Sequence, residues 1–303
     1  PPTSIDVVGN GLSAPKPVDI NSDGKVDVVY AGDLKGNLWK FDLTSTNSSD
    51  WAVSDWGTTA LCNWQIAVCK PLFTATDAAG TRQAISTPPT VKANDRGAGG
   101  MMVAFGTGVN VTDADRSSSA VNTVYSIHDN TLYKLVSGKV TIDSSVTPKA
   151  VNKDKSELGT QTQIADWAGQ GYSSAYNFFT LSNNDVNYDA AVGPVKKGWY
   201  FNLPTTGERV LQQIFFYDAS NILAVKSVQP AYGGNGSSTA ESCEPAGTPE
   251  KSYLTLLNIM DGKPPSIPVM NRNGDAFFNA ADGGVSRVTL NAGATSVVTN
   301  LKT

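Results

Sequence analysis

Short runs in which apolar and polar residues alternate, each closed by Gly, Asn, Asp or Pro, recur along the whole chain. They are Val26–Tyr30, Gly36–Phe41, Met101–Phe105, Thr123–Ile127, Thr131–Leu135, Gly198–Leu203, Arg209–Phe216, Ile222–Lys226 and Tyr253–Leu257. A period of two puts every other side chain on one face of an extended backbone, so each run predicts a strand. Helical periodicity with caps is almost absent, and the best candidate, Thr162–Trp167, is too short to organise a domain. The class is all-β. Only 17% of the residues are charged, against about 25% in average soluble proteins. Ser, Thr, Asn, Gln and Gly must therefore cover the surface, as in many secreted β-rich proteins. Lys and Arg total 23 against 27 Asp and Glu, a net charge of −4, with no basic stripe to follow a phosphate backbone. That balance excludes nucleic-acid binding. No apolar run approaches the ~20 residues that cross a bilayer. The start, Pro1-Pro2-Thr3-Ser4, has neither the basic nor the apolar part of a signal peptide, so the chain is either leaderless or a piece of something longer.

A weak internal repeat selects among β architectures. Gly36–Leu43, Asn130–Gly138 and Ser252–Gly262 each read as a small-residue turn, an apolar and aromatic strand, then a polar turn. Blades of four-stranded sheet carry this kind of signature. The spacing is irregular, which fits a propeller with long insertions better than a tidy array. Thr44–Ala84 and Thr141–Lys197, both rich in polar residues, are the expected insertions, either partner-contacting loops or solvated decoration. The expectation is a modified β-propeller with an incomplete set of blades, a single or partial propeller domain over residues 1–303.

The sharpest motif is Asp19-Ile-Asn21-Ser-Asp23-Gly24-Lys25-Val-Asp27. Calcium takes six to eight hard oxygen ligands, and a loop with side-chain oxygens at alternate positions turns them to one centre while a glycine makes the bend. Asp19, Asn21, Asp23 and Asp27 fit positions one, three, five and nine, and Lys25 supplies only its backbone carbonyl at position seven. An EF-hand would have Glu at position twelve and flanking helices, whereas Tyr30 stands there and a strand follows. The bland alternative is a polar turn without metal, which leaves three close acids repelling one another.

A weaker copy runs through Asn271, Asn273, Asp275, Phe277 (carbonyl), Asn279 and Asp282, with Ala276 where a glycine belongs. Its lower charge makes it the weaker calcium candidate. Asp113-Ala-Asp115 and Asp185–Asp189 lack the glycine and the spacing, and read as solvated turns.

Cys62 and Cys69 flank a polar, Trp-containing stretch, either as a local disulfide in an oxidising compartment or as two unrelated buried thiols, and Cys243 is left over. The three cysteines and the single histidine are too few and wrongly spaced for structural zinc. His128 lies in an alternating strand, and no Gly-x-Ser-x-Gly elbow occurs.

The block Gly11–Leu43, which contains the acidic loop and Gly-Asp-Leu-Lys-Gly-Asn-Leu-Trp-Lys-Phe-Asp-Leu, closely resembles the calcium-loop blade of the PilY/PilC family of type IV pilus tip-associated adhesin and biogenesis proteins. Shorter blocks follow in the family's order: Ser86–Val91, Val103–Gly108, Val124–Asn130, Gly198–Pro204 with Gly207–Val210, and Cys243 ahead of Tyr253–Leu257. The resemblance implies a modified propeller of quinoprotein-dehydrogenase-like blades with a surface calcium site at Asp19, Asn21, Asp23, Lys25 and Asp27. It implies export to the periplasm and display at the pilus tip with minor pilins. It also implies support of pilus assembly, calcium-dependent opposition to retraction, and attachment to a host-cell or surface ligand. The chain starts almost at the calcium block and lacks the Arg/Trp-rich ending of the family, which marks it as a fragment of a longer protein.

Two rival functions remain at this level. A quinoprotein dehydrogenase also uses a calcium-bearing propeller, but its acids belong in the central channel and not in one contiguous loop. A generic adhesion propeller, in which calcium only stiffens structure, is compatible with the Asp19 loop, and the wider resemblance alone favours pili.

Overall fold

The computed structural model describes residues 9–54, 56, 69–167, 176–231, 250–275 and 277–290. The first sheet is a meander of β1 (Lys16–Val18), β2 (Val28–Gly32) and β3 (Asn37–Asp42), with β4 (Ala52–Val53) and β5 (Phe73–Thr74) pairing opposite ends of β3. The turn from β2 to β3 is built by Asp33. Its Oδ1 accepts the amides of Lys35 and Asn37, and its Oδ2 accepts from the side chains of Asn10, Asn37 and Trp39. Gly36 closes this turn at φ +79°, where an added Cβ would sit 2.7 Å from the Gln83 carbonyl oxygen. Only glycine combines that dihedral with that approach.

The second meander is β6 (Thr90–Ala93), β7 (Met101–Gly106) and β8 (Thr123–Asp129), with the short helix α1 (Asp113–Arg116) between β7 and β8. Next comes a hairpin of β9 (Tyr133–Val136) and β10 (Lys139–Ile142), turned at Ser137 and Gly138, both at positive φ as a two-residue hairpin turn requires. The chain then passes through β11 (Gly159–Gln161), β12 (Gln163–Asp166), β13 (Phe178–Leu181) and β14 (Gly198–Asn202). Strands β14 and β11 extend the second sheet beyond β8, whereas β13 and β12 join the third. That third sheet is a meander of β15 (Phe215–Phe216), β16 (Ile222–Gln229) and β17 (Lys251–Asn258), followed by β18 (Arg287–Leu290), which pairs with β13.

The sheets pack face to face in series. Strand β8 sits in the middle, with all seven residues buried. Its Tyr125 and Ile127 join Tyr30, Leu38 and Phe73 in the core between the first two sheets, whereas Val124 joins Trp199, Leu223 and Leu257 in the core between the second and third. Each fully buried large apolar side chain stabilises the packing by about 1.5–3 kcal/mol. Among the described residues no helix is long and apolar enough to cross a membrane.

Several expectations are corrected. Thr44–Ala84 and Thr141–Lys197 are more than insertions, because the first supplies β4 and β5 and the second supplies β11, β12 and β13 to two sheets. The second repeat copy is misplaced: Asn130–Gly138 forms part of the outlying hairpin, and the strand equivalent to β3 and β17 is β8. Thr162–Trp167 contains β12, a strand held by pairing with β13. Asp113-Ala-Asp115 is the first turn of α1, where the Asp115 side chain and the Thr112 hydroxyl form a capping box.

Candidate metal loop and the polar support beneath it

The Asp19–Asp27 loop joins β1 to β2, and its side chains fold it. Asp19 Oδ1 accepts the Asp23 amide at 3.2 Å and Oδ2 accepts the Gly24 amide at 2.7 Å. Asn21 Oδ1 accepts the Asp23 amide at 3.2 Å, and Asp23 Oδ1 accepts the Lys25 amide at 2.9 Å. These local bonds are the reason Asp and Asn suit such a loop. Ser22 at φ 60° and Gly24 at φ 86° make the two sharp bends. Asp27 is 8% exposed and anchors the exit, its Oδ2 accepting the Ile20 amide at 2.7 Å and its carbonyl accepting the Leu43 amide. Burial raises the Asp27 carboxyl above its ordinary value; the Ile20 amide opposes this, while the charges of Asp19 and Asp23 add to it.

The donor set fits calcium in chemistry. Each carboxylate oxygen that takes one amide keeps a lone pair, the oxygens are hard, and Gly24 leaves nothing within 4 Å of a would-be Cβ. Among the described residues no three Asp, Glu, His or Cys side chains already converge as a metal-holding group. Binding a cation would therefore draw the three acids together. The Lys25 side chain is 84% exposed and only 4.0 Å from Asp23 Oδ2, a surface contact of little consequence.

A buried polar group lies between the first two sheets. Lys40 Nζ, on β3, donates to Asp129 Oδ2 at 2.7 Å, and the Tyr30 hydroxyl donates to the same oxygen at 2.5 Å. Asp129 Oδ1 accepts the amide and hydroxyl of Thr131 at 2.9 and 2.6 Å. Burial pushes the Asp129 carboxyl up, but the Lys40 charge and the bonds from Lys40, Thr131 and Tyr30 outweigh it and hold the group below its ordinary value. Asp42, at the end of β3, repeats the arrangement with the amide and hydroxyl of Thr44, again at 2.9 and 2.6 Å. Sequence reading missed Lys40, Asp42 and Asp129. The usable signal was Asp-x-Thr closing equivalent strands, Asp42-Leu-Thr44 and Asp129-Asn-Thr131.

The second loop spends its oxygens on itself. Asn271 Oδ1 accepts the Gly274 amide, Asn273 Oδ1 accepts the Asp275 amide, and Asp275 Oδ1 accepts the Phe277 amide. Asn279 caps the short turn Ala280–Asp282, and Asp282 is fully buried, accepting the amides of Arg272, Asn273 and Asn279. The Asn273 side-chain amide donates to Asp275 Oδ2 at 3.0 Å. The spacing that suggested ligands thus also builds a self-capped turn, with Phe277 exposed. Cys69 is disulfide-bonded, and Cys62 and Cys243 lie outside the described residues. His128 is 6% exposed, with Nε2 2.8 Å from the Gly99 carbonyl oxygen.

Successive antiparallel meanders packed face to face, with an oxygen-rich loop on the first, define a β-propeller protein. The family described as the PilY1 β-propeller domain matches residues 3–157. The chain belongs to this family. It is 33% identical over 207 residues to the type IV pilus biogenesis factor PilY1 of Pseudomonas aeruginosa strain PAO1, covering 66% of this chain and 17% of that protein. A PilY1 homolog from Xylella fastidiosa strain Temecula1 is 28% identical over 295 residues, 95% of this chain and 18% of the homolog. The chain thus spans less than a fifth of the length of these relatives. The crystal structure of the P. aeruginosa PilY1 C-terminal domain superposes with a TM-score of 0.68 at 24% identity, over 95% of this chain and 57% of that one, a likeness of fold.

Proposed function

We propose that this chain is the calcium-responsive propeller region of a type IV pilus biogenesis factor, exported and displayed at the pilus tip. The relatives that carry the same propeller bear that name. The observation that carries the calcium part is the loop itself: three acids, one of them raised by burial and by the other two, on a backbone bent by Gly24. Asp19, Asn21, Asp23, the Lys25 carbonyl and Asp27 would hold the ion, which supplies positive charge where those acids repel one another. Relief of that repulsion favours one arrangement of the β1–β2 connection over others, and so one docking surface over another. The partners would be minor pilins on one side and a host-cell or surface ligand on the other. In this reading the propeller supports pilus assembly and modulates extension and retraction, and it is not an enzyme. The buried, carbonyl-bound His128 supports that last point, because a Ser-His or Cys-His site would have to use it.

The test is complementation in a piliated bacterium that carries the full-length protein. Asp23→Ala should leave the protein folded and exported but remove the calcium dependence of surface piliation and twitching. Unchanged calcium dependence would contradict the proposal.

A further inference from the structure

Four polar groups where the first two sheets meet have hydrogen-bonding capacity that is unused among the described residues. Among the described residues, Asp42 Oδ2, Trp56 Nε1 and the Tyr133 hydroxyl are buried without a hydrogen-bond partner. Lys40 Nζ donates to Asp129 Oδ2 and Thr131 Oγ1, and an ammonium has three N–H donors, so one is left over among the described residues. Buried orphans of this kind are rare, and three beside one buried ammonium call for a common cause.

They share one place. Lys40 and Asp42 are two apart on β3 and so lie on the same face. The rings of Trp56 and Tyr133 lie 5.3 and 5.1 Å from Lys40 Nζ. Burial first, then the charges of Asp129 and Asp42, keep the Tyr133 hydroxyl protonated. The unused capacity is two donors, from Lys40 and Trp56, one acceptor, Asp42 Oδ2, and one hydroxyl that serves either way. Two N–H donors repel a cation, and the Asp42 carboxylate repels an anion. The occupant this set selects is neutral, with two donors and two acceptors of its own.

We propose that an ordered internal water occupies this position, accepting from Lys40 and Trp56 and donating to Asp42 Oδ2 and the Tyr133 hydroxyl oxygen. Four polar partners are the upper end of what a buried water makes. The water ties β3 to Trp56 and to the β9–β10 hairpin, so it belongs to the structure that holds the hairpin against the first sheet. The inference does not depend on the calcium reading.

A crystal structure of the intact chain, at a resolution that shows ordered solvent and repeated after a rubidium soak, tests it directly. The expected result is a solvent peak within about 3.2 Å of at least three of the four atoms and no anomalous signal there. Direct bonds among Asp42, Trp56 and Tyr133 with no solvent peak, or a rubidium peak, would overturn it. Thermal melts give an independent reading. Tyr133→Phe and Trp56→Phe should each lower the melting temperature by a few degrees, with a combined effect smaller than the sum because both remove partners of one water. If the Tyr133 hydroxyl is simply stranded, Tyr133→Phe leaves the melting temperature unchanged or raises it, and the proposal fails.

Discussion

Lys40 and Asp129 meet at 2.7 Å with both side chains about 1% exposed, on strands that belong to different sheets. An ion pair taken fully out of water is worth little against an apolar pair of the same shape, but removing one partner strands the other. Lys40→Met should therefore lower the unfolding free energy by about 3–5 kcal/mol. Adding Asp129→Leu to it should recover only part of that loss, because Tyr30 and Thr131 then lose their acceptor. Chemical denaturation of the two variants beside the parent checks both statements.

Acid should loosen the same joint. Asp129 is held below its ordinary value, so its contribution is fully present above the unfolded-chain value near pH ~3.9 and is lost as pH falls through the lowered folded value. Melting temperature should be flat in this respect above about pH 4 and drop below it. The drop should shrink in the Lys40→Met, Asp129→Leu double variant. An equally steep acid limb in the double variant would assign it to other carboxyls.

Two glycines at positive φ should behave differently when replaced. At Gly198, φ 124°, a Cβ would meet the Ser126 carbonyl oxygen at 2.1 Å, at the start of β14 where Gly198 pairs with Ile127 of β8. At Gly24, φ 86°, nothing lies within 4 Å. Gly198→Ala should fail to fold or lose several degrees of melting temperature, whereas Gly24→Ala carries only the dihedral cost of about 1–2 kcal/mol. The second variant should keep the fold and weaken cation binding, which calorimetry and melting read separately.

A second buried pair predicts a local effect in the third sheet. Arg287 Nη2 lies 2.9 Å from both oxygens of Glu208, and its guanidinium stacks 4.0 Å from the Tyr253 ring centroid. Arg287→Lys cannot reproduce the planar contact. It should destabilise the chain by about 1.5–3 kcal/mol, the range for hydrogen bonds to charged groups, and hydrogen exchange should quicken in β17 and β18 before β2 and β3.

The strands with one face toward solvent or a loop were readable because alternation survives in them, as in β3 and β16. Strand β8 was legible as a strand over Thr123–Ile127, but it is buried on both faces, so its pattern does not say which face belongs to which core. The repeat was assigned one strand late, to β9, whose turn and aromatic residue mimic a blade strand. Strand β12 was hidden for another reason, since its state is set by pairing with β13 and not by its own residues. At the candidate site, the loop was legible because Asp19, Asn21 and Asp23 act on backbone two to five positions away and Asp27 on backbone seven away. The Lys40–Asp129 pair was not, because its partners are 89 residues apart, and the local signs, a lysine in an apolar strand and Asp-x-Thr after two strands, do not say which residues meet.

The proposed function rests on calcium binding by the Asp19–Asp27 loop. Isothermal calorimetry of calcium into the purified chain, beside Asp23→Ala and with thermal unfolding followed in parallel, tests it most directly. The account predicts a saturable site with a dissociation constant of about 10⁻⁶–10⁻³ M in the parent, abolished in Asp23→Ala. It also predicts a melting temperature that rises with calcium only in the parent. No binding heat and no thermal shift in the parent, or equal binding in both proteins, would contradict it.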